Sequence, residues 1–328
     1  MSHIKLPTLV VAFWALCSHA HAQVAADHLW PTRLITIIVP VTTGSASDVW
    51  SRLYTQSISE NTDWKFLIDF KPGAGATLGA AFVAKAAPDG YTLLIASSSL
   101  TTAPIVYKNL TFDPVRSFAP VSLTSNGSSM LLVNPSLPVT TYKEYVAYAR
   151  ANPGKINFGN SGVGSTYHLS GVALHRSAGA EVTFIPYKGG GDVTNAILSG
   201  EINAMFGSLT AYLPLVKAGK LRALGVTTIK RSNMLPDLTT LQELCGCEFE
   251  HNAWTGIVAP AGTPAAVVNM MSREFIKAAS RPNVAKRLAE AGQETGGSTP
   301  EIFAKMIAYE TDKWRRLVKE ANLTIRPE

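Results

Sequence analysis

The segment Asn157-Phe158-Gly159-Asn160-Ser161-Gly162-Val163-Gly164-Ser165-Thr166-Tyr167-His168-Leu169 is made of glycines and hydroxyls, with no charged side chain in its loop. A short apolar run, Lys155 to Phe158, leads in, and a helical pattern, Tyr167 to Ala178, leads out and stops at Gly179. Such a strand–loop–helix turn points backbone N–H groups at a helix N-terminus, where an anion is held. The candidate contacts are Ser161, Gly162, Val163, Gly164, Ser165, Thr166 and His168. A second loop of the same kind, Pro40 to Asp48, offers Thr42, Thr43, Gly44, Ser45, Ala46, Ser47 and Asp48. Ser97-Ser98-Ser99 closes another strand, with Ser97 and Ser98 as further contacts. One loop alone is what a tight turn and a helix cap require. Two loops of the same chemistry, far apart in sequence, point to two domains gripping one small anion, with Thr43 and Ser165 reaching it from opposite sides.

Catalytic chemistries fit poorly. Gly159-Asn160-Ser161-Gly162-Val163 approaches a nucleophile elbow, which makes a secreted serine hydrolase using Ser161 the enzyme alternative, but Val163 stands where that motif needs glycine. The spacing of Gly159, Gly162 and Gly164 is not that of a dinucleotide loop, and no acidic residue ends the next strand to hold a ribose. Lys71-Pro72-Gly73-Ala74-Gly75-Ala76-Thr77-Leu78-Gly79 lacks the Gly-Lys-Ser/Thr ending of a phosphate loop, so its small residues are assigned to close helix–sheet approach. No His-x-x-x-His pair exists, so neither a metal nor a cofactor is expected, and no residue is assigned to catalysis. Reversible capture suits neutral donors. A hydrogen bond to a charged group contributes roughly 1.5–3 kcal/mol. A micromolar site needs about 8 kcal/mol, so roughly four to six donors suffice after ordering costs. Lys188 or Arg33 could also fold in.

The elements that must position these loops alternate. Arg33 to Val39 is a continuous β-rich apolar run, as in a strand buried on both faces of a parallel sheet. A helix from about Asp48 to Ser59, with Asp48 supporting its cap, precedes a strand from Lys65 to Phe70. Pro88-Asp89-Gly90 turns the chain into the strand Tyr91 to Ala96. Two β-rich runs, Ala119 to Leu123 and Met130 to Val133, place a crossing into a second domain near Ser125-Asn126-Gly127. There the alternation resumes: a helix capped by Thr140 or Thr141, the strand Val182 to Pro186, and strands at Ile202 to Phe206 and Leu221 to Thr227. Phe249 to Ala259 crosses back, and three helices close the chain, Pro264 to Ala279, Asn283 to Glu290 and Pro300 to Ala321. The resulting division is residues 1–22 as a leader, 23–124 with 252–328 as one lobe, and 125–251 as the other.

The leader follows from Lys5, the apolar stretch Leu6 to Leu16, and Ala20-His21-Ala22, which together read as a secretory signal cut after Ala22. Trp14-Ala15-Leu16 argues against lipidation of Cys17. Only Lys5 is charged in that segment, so its removal leaves 28 basic and 23 acidic residues, a net charge of +5. The basic residues form no stripe, which excludes nucleic acid. Cys245 and Cys247 then stand alone, either free or paired across Gly246, with no zinc pattern.

Several of these stretches resemble the substrate-binding proteins of tripartite tricarboxylate transporters, the Bug receptors. Pro72-Gly73-Ala74-Gly75, Pro88-Asp89-Gly90-Tyr91-Thr92-Leu93-Leu94 and Ala149-Arg150-Ala151-Asn152-Pro153-Gly154-Lys155 match that family. So do Pro186-Tyr187-Lys188-Gly189, Gly219-Lys220-Leu221-Arg222-Ala223-Leu224 and Trp254-Thr255-Gly256-Ile257-Val258-Ala259-Pro260-Ala261-Gly262-Thr263-Pro264, in order along the mature chain. The resemblance implies an α/β, two-lobed type II periplasmic binding protein (a Venus flytrap), each lobe a mixed, mostly parallel sheet flanked by helices. It implies a periplasmic, monomeric receptor that takes a small carboxylate and delivers it to membrane permease subunits. In the family, the loops matching Val41 to Asp48 and Ser161 to Thr166 contact ligand carboxylates. Two departures stand out. Thr42-Thr43-Gly44-Ser45 replaces a Pro-Pro-Gly-Gly-like loop. Gly207-Ser208 follows Met205-Phe206 where the family often has Asp, which either removes an acid near the cleft and leaves room for a bulkier or more apolar ligand, or is neutral drift at a lobe edge.

Overall fold

The computed structural model describes residues 30–187, 190–247, 249–293 and 296–320, so the leader 1–22 lies outside the described residues. Among these, nine strands form one continuous sheet in the order β2-β1-β3-β9-β4-β7-β5-β6, with β8 also paired to β4. The strands are β1 (Ile35–Val39), β2 (Phe66–Phe70), β3 (Thr92–Ser97), β4 (Phe118–Val133), β5 (Asn157–Asn160), β6 (Thr183–Pro186), β7 (Ala204–Ser208), β8 (Arg222–Val226) and β9 (Asn252–Pro260). β1 runs parallel to β2 and β3, and β5 runs parallel to β6 and β7. β4 and β9 are antiparallel to their neighbours and join the two parallel halves. The fold is two-lobed, each lobe being a mixed sheet covered by helices.

The apolar run that precedes the first loop is buried on both faces. Ile35, Ile37 and Val39 enter one core with Trp50, Tyr54 and Phe275, while Ile38 enters another with Val83, Leu100 and Phe303. The first core is covered by helices α1 (Ala46–Ser59) and α9 (Ala265–Ser280), the second by α2 (Thr77–Ala84) and α3 (Ser99–Val106). In the other lobe, Phe158, Phe206 and Tyr145 pack beneath α4 (Tyr142–Ala151) and α5 (Thr166–Ser177). The opposite face of that sheet packs on α6 (Gly190–Ser199) and α7 (Leu209–Lys217). The short α8 (Leu241–Cys245) follows β8; α10 (Pro282–Glu290) and the long α11 (Pro300–Glu320) close the chain. Among the described residues no helix is long and apolar enough to cross a membrane.

One expectation is corrected, two helices are added, and one open alternative is resolved. The two β-rich runs around Ser125-Asn126-Gly127 are a single 16-residue strand, β4. Asn126 and Gly127 stay extended because β9 lies opposite them, with Asn126 against Trp254 and Gly127 against Ala253. The glycine serves packing, since a Cβ there would lie 2.6 Å from the Gln293 amide nitrogen. Helices α3 and α7 have no counterpart in the sequence reading. Each carries an internal proline, Pro104 and Pro214, which removes a helical hydrogen bond, yet Leu100, Ala103, Leu209 and Leu213 are buried and hold them. Cys245 and Cys247 are joined by a disulfide across Gly246, which adopts φ 62° at the end of α8.

Candidate functional site

The two hydroxyl loops share one local construction. Ser45 caps α1, its Oγ accepting the Asp48 N–H at 3.3 Å. Asp48 reaches back, and its Oδ2 accepts the Gly44 N–H at 2.9 Å. Ser165 caps α5, its Oγ accepting the His168 N–H at 3.2 Å. His168 also reaches back, and its Nδ1 accepts the Gly164 N–H at 3.0 Å. Gly44 and Gly164 have φ of 82° and 77°, a region that favours glycine. In both loops, then, a Gly-Ser-x-x-acceptor pattern ties the loop to the third residue of the helix it opens, a variant of the capping box. Asp48 is buried and its other oxygen takes the Arg52 Nε–H at 2.6 Å. Burial lowers the pKa of His168, whose ring stands edge-on to Phe184 at 5.1 Å. With Nδ1 accepting, the neutral ring carries its proton on Nε2.

Between the lobes lies a cleft of about 980 Å³. One wall is built from Pro40, Val41 and Thr42 after β1, the turn after β2, and Ser97, Ser99 and Thr102 after β3. The facing wall is built from Ser161, Gly162, Val163, Gly164 and Ser165 after β5, with Pro186, Tyr187 and Asp192 after β6. These are the carboxyl ends of parallel strands, where open α/β sheets place their ligands. No lysine, arginine or histidine lines the cleft among the described residues, and Asp192 is its one charged side chain. Arg33 does not fold in: it pairs with Asp89 at 2.8 Å and lies over the Tyr91 ring. Lys188 lies outside the described residues.

Of the residues expected from sequence, Thr42, Ser97 and Ser161 to Ser165 meet in this cleft. Thr43 does not line it; it is exposed beside the cleft, and Thr42 takes that place. Gly44, Ser45, Ala46, Ser47, Asp48, Thr166 and His168 are not among the residues that line the cleft; Ser45, Asp48 and His168 cap and tie the loops that form it. Ser98 is the N-cap position before α3 and its N–H donates to the Trp254 carbonyl at 3.2 Å, while Ser99 and Thr102 line the cleft.

Gly207 and Ser208 are not at the cleft. Gly207 is buried in β7, where a Cβ would lie 2.5 Å from the Tyr212 ring. The missing side chain makes room for Tyr212 and not for a ligand. Ser208 caps α7 through the Ala211 N–H.

The turn after β2 is more than the packing device its small residues suggest. Gly79 does serve that purpose, since a Cβ there would lie 2.7 Å from Pro40 Cβ. Gly73 and Gly75, however, line the cleft. Gly73, Ala74, Gly75 and Ala76 have successive φ of 135°, 45°, 60° and 76°, an unusual backbone run of the kind that gathers at functional sites. The signal for it was available: it is a third glycine-rich strand-to-helix turn, at the same sheet edge as the first.

A hydrolase has no support in this geometry. Among the described residues Ser161 makes no hydrogen bond to a histidine or carboxylate, and the His168 ring is committed to Gly164. Two lobes with a charge-poor cleft of donors between them define a solute-binding protein. The chain belongs to the tripartite tricarboxylate transporter receptor family, whose model matches residues 51–323. It is 34% identical over 295 residues (90% of this chain, 88% of the relative) to a UPF0065 protein in the tcbD-tcbE intergenic region of Pseudomonas sp. strain P51. Protein BugT of Bordetella pertussis is 29% identical over 99% of this chain and 100% of its own. Among solved structures, R. palustris Rpa4515 with adipate superposes with a TM-score of 0.77 at 33% identity, covering 89% of this chain and 98% of that one. MatC from Rhodopseudomonas palustris with bound malate gives 0.74 at 28% identity, covering 88% and 100%. The family is one of periplasmic receptors that serve a tripartite tricarboxylate permease, not of enzymes.

Proposed function

We propose that this protein captures a small carboxylate between its lobes and delivers it, as a monomer, to the membrane subunits of a tripartite tricarboxylate permease. The observation that carries the reading is the cleft itself: hydroxyls and loop backbone from both lobes converge on it, with no cationic side chain among the described residues. Neutral donors hold an anion by charge-assisted hydrogen bonds without the desolvation of a buried arginine, and so permit release. Asp192 repels a carboxylate placed beside it, which directs the anionic end towards Thr42 and the 161–165 loop. The ligand proposed is a di- or tricarboxylate, or an aromatic carboxylate of similar size; solved structures of similar proteins with adipate and with malate support the dicarboxylate reading.

The lobes are residues 23–124 with 252–328, and 125–251, with the leader 1–22 removed after Ala22. The hinge is β4 and β9, whose pairing from Phe118 to Ser128 runs across both lobes. The reading includes no turnover of substrate, and a screen of ester, amide and nicotinamide substrates on the pure protein is expected to find none. A thermal-shift screen of carboxylates, sugars, amines and amino acids tests the reading. A ligand at a hundredfold its dissociation constant stabilises the fold by about 2.7 kcal/mol. Carboxylates are expected to give the largest shifts. A sugar or simple amine that outranks every carboxylate would overturn the proposal.

A further inference from the structure

Asp192, in the first turn of α6, is the one charged side chain among the described residues that line the interlobe cleft. It is exposed, and its carboxylate makes no ion pair or hydrogen bond among the described residues. An acid in a first turn suits the helix dipole from any side of the helix; this one is turned to the cleft, across from Thr42 and Ser97. The wall around it does not balance the charge. Tyr187 donates its hydroxyl to Glu201 Oε1 at 2.8 Å, and Pro186 and Val163 are apolar. In the open cleft, water solvates the Asp192 carboxylate. When the lobes close over a ligand part of that water leaves, and a carboxylate taken out of water needs a cation or donors in its place. A ligand with one carboxylate brings a second negative charge into the same space, and a dicarboxylate brings two. No lysine, arginine or histidine lines the cleft among the described residues, so the balancing charge has to arrive with the ligand.

We infer that Asp192 sets the specificity of the cleft by pairing with a protonated amine on the ligand, so that the preferred ligand is a carboxylate with an ammonium group at its other end. The inference rests on the carboxylate reading and narrows it. The carboxylate end meets the neutral donors of Thr42 and the 161–165 loop, and the ammonium end meets Asp192. Both contacts are charge-assisted, which makes them stronger than hydrogen bonds between neutral groups. A cleft of about 980 Å³ has room for both ends. A dicarboxylate enters with one anionic end beside Asp192, or with both ends crowded towards Thr42, and binds more weakly in either pose.

The test compares three ligands of one chain length that differ only at one end: 6-aminohexanoate, 6-hydroxyhexanoate and adipate. Each is titrated by calorimetry into the processed full chain and into Asp192→Asn, which keeps the size of an exposed side chain and removes its charge. The wild type should bind 6-aminohexanoate at least about tenfold more tightly than adipate, with the hydroxy acid between them. In Asp192→Asn that ratio should fall at least about tenfold, the amine binding more weakly and adipate more tightly. Adipate binding the wild type as tightly as the amine would overturn the inference. So would an unchanged ratio in the variant, or no binding of any of the three up to about 10 mM. The carboxylate reading is judged separately, by the thermal-shift screen, and fails only if a sugar or simple amine outranks every carboxylate there.

Discussion

His168→Phe isolates the support of the second loop. The imidazole Nδ1 accepts the Gly164 N–H at 3.0 Å, and Gly164 is buried, so no water stands ready to replace it. Phenylalanine keeps a ring against Phe184, a contact worth about 0.5–1.5 kcal/mol. The Ser165 cap survives because it uses the backbone N–H of residue 168. What is lost is one acceptor, and an unpaired buried amide costs roughly 1–3 kcal/mol. The loop can escape that cost by opening to water, and binding must then order it again. Affinity for the best carboxylate of the thermal screen should therefore fall about 5- to 150-fold. Isothermal titration calorimetry at pH 8 measures this where the wild-type ring, its pKa already lowered by burial, is neutral. Affinity within twofold of wild type, alongside a lowered Tm, would refute the reasoning. The loop would then matter to the fold and not to the ligand.

Thr43→Ala should leave stability within about 0.5 kcal/mol and affinity unchanged, because the side chain is exposed outside the cleft. Ser165→Ala should cost about 0.5–2 kcal/mol in urea unfolding, through loss of the cap, and weaken binding as well. Acid should destabilise the fold through two buried histidines. Burial lowers His175 to about 4 and His251 to about 3, against about 6.5 when unfolded. The unfolded chain thus binds up to two more protons, and stability is complete above pH 6.5 and falls as pH drops towards 4. The slope approaches roughly 2–3 kcal/mol per unit, and a flat profile in urea melts between pH 7 and 4.5 would contradict it. Mass spectrometry of the exported protein should find Gln23 as the first residue; a chain starting at Met1, or lipidated at Cys17, would exclude the cleavage.

Local chemistry accounts for what could be read in advance. A strand buried on both faces announces itself by composition, as Ile35 to Val39 does. A cap announces itself by type and spacing, and Thr141 with Glu144 forms the full capping box in the structure. The Gly-Ser pairs at 44–45 and 164–165 marked two turns that begin helices, because positive φ and an N-cap hydroxyl are demands a few residues can reveal. From these, two α/β lobes and a cleft bounded by residues 161–165 followed without any long-range information.

Other features depended on neighbours distant in sequence. Whether Asn126-Gly127 turned or ran on was decided by β9, some 127 residues later, lying opposite it. Whether Gly207 opened a cleft or a core was decided by where the Tyr212 ring settled. The turn after β2 became part of the site because β1, β2 and β3 lie side by side with their carboxyl ends together, a matter of register and strand order. Thr42 lines the cleft and Thr43 does not, although type and spacing treat them alike. Sequence sets which backbone conformations and caps are affordable at each loop; only the packed lobes decide which atoms of that loop face the space between them.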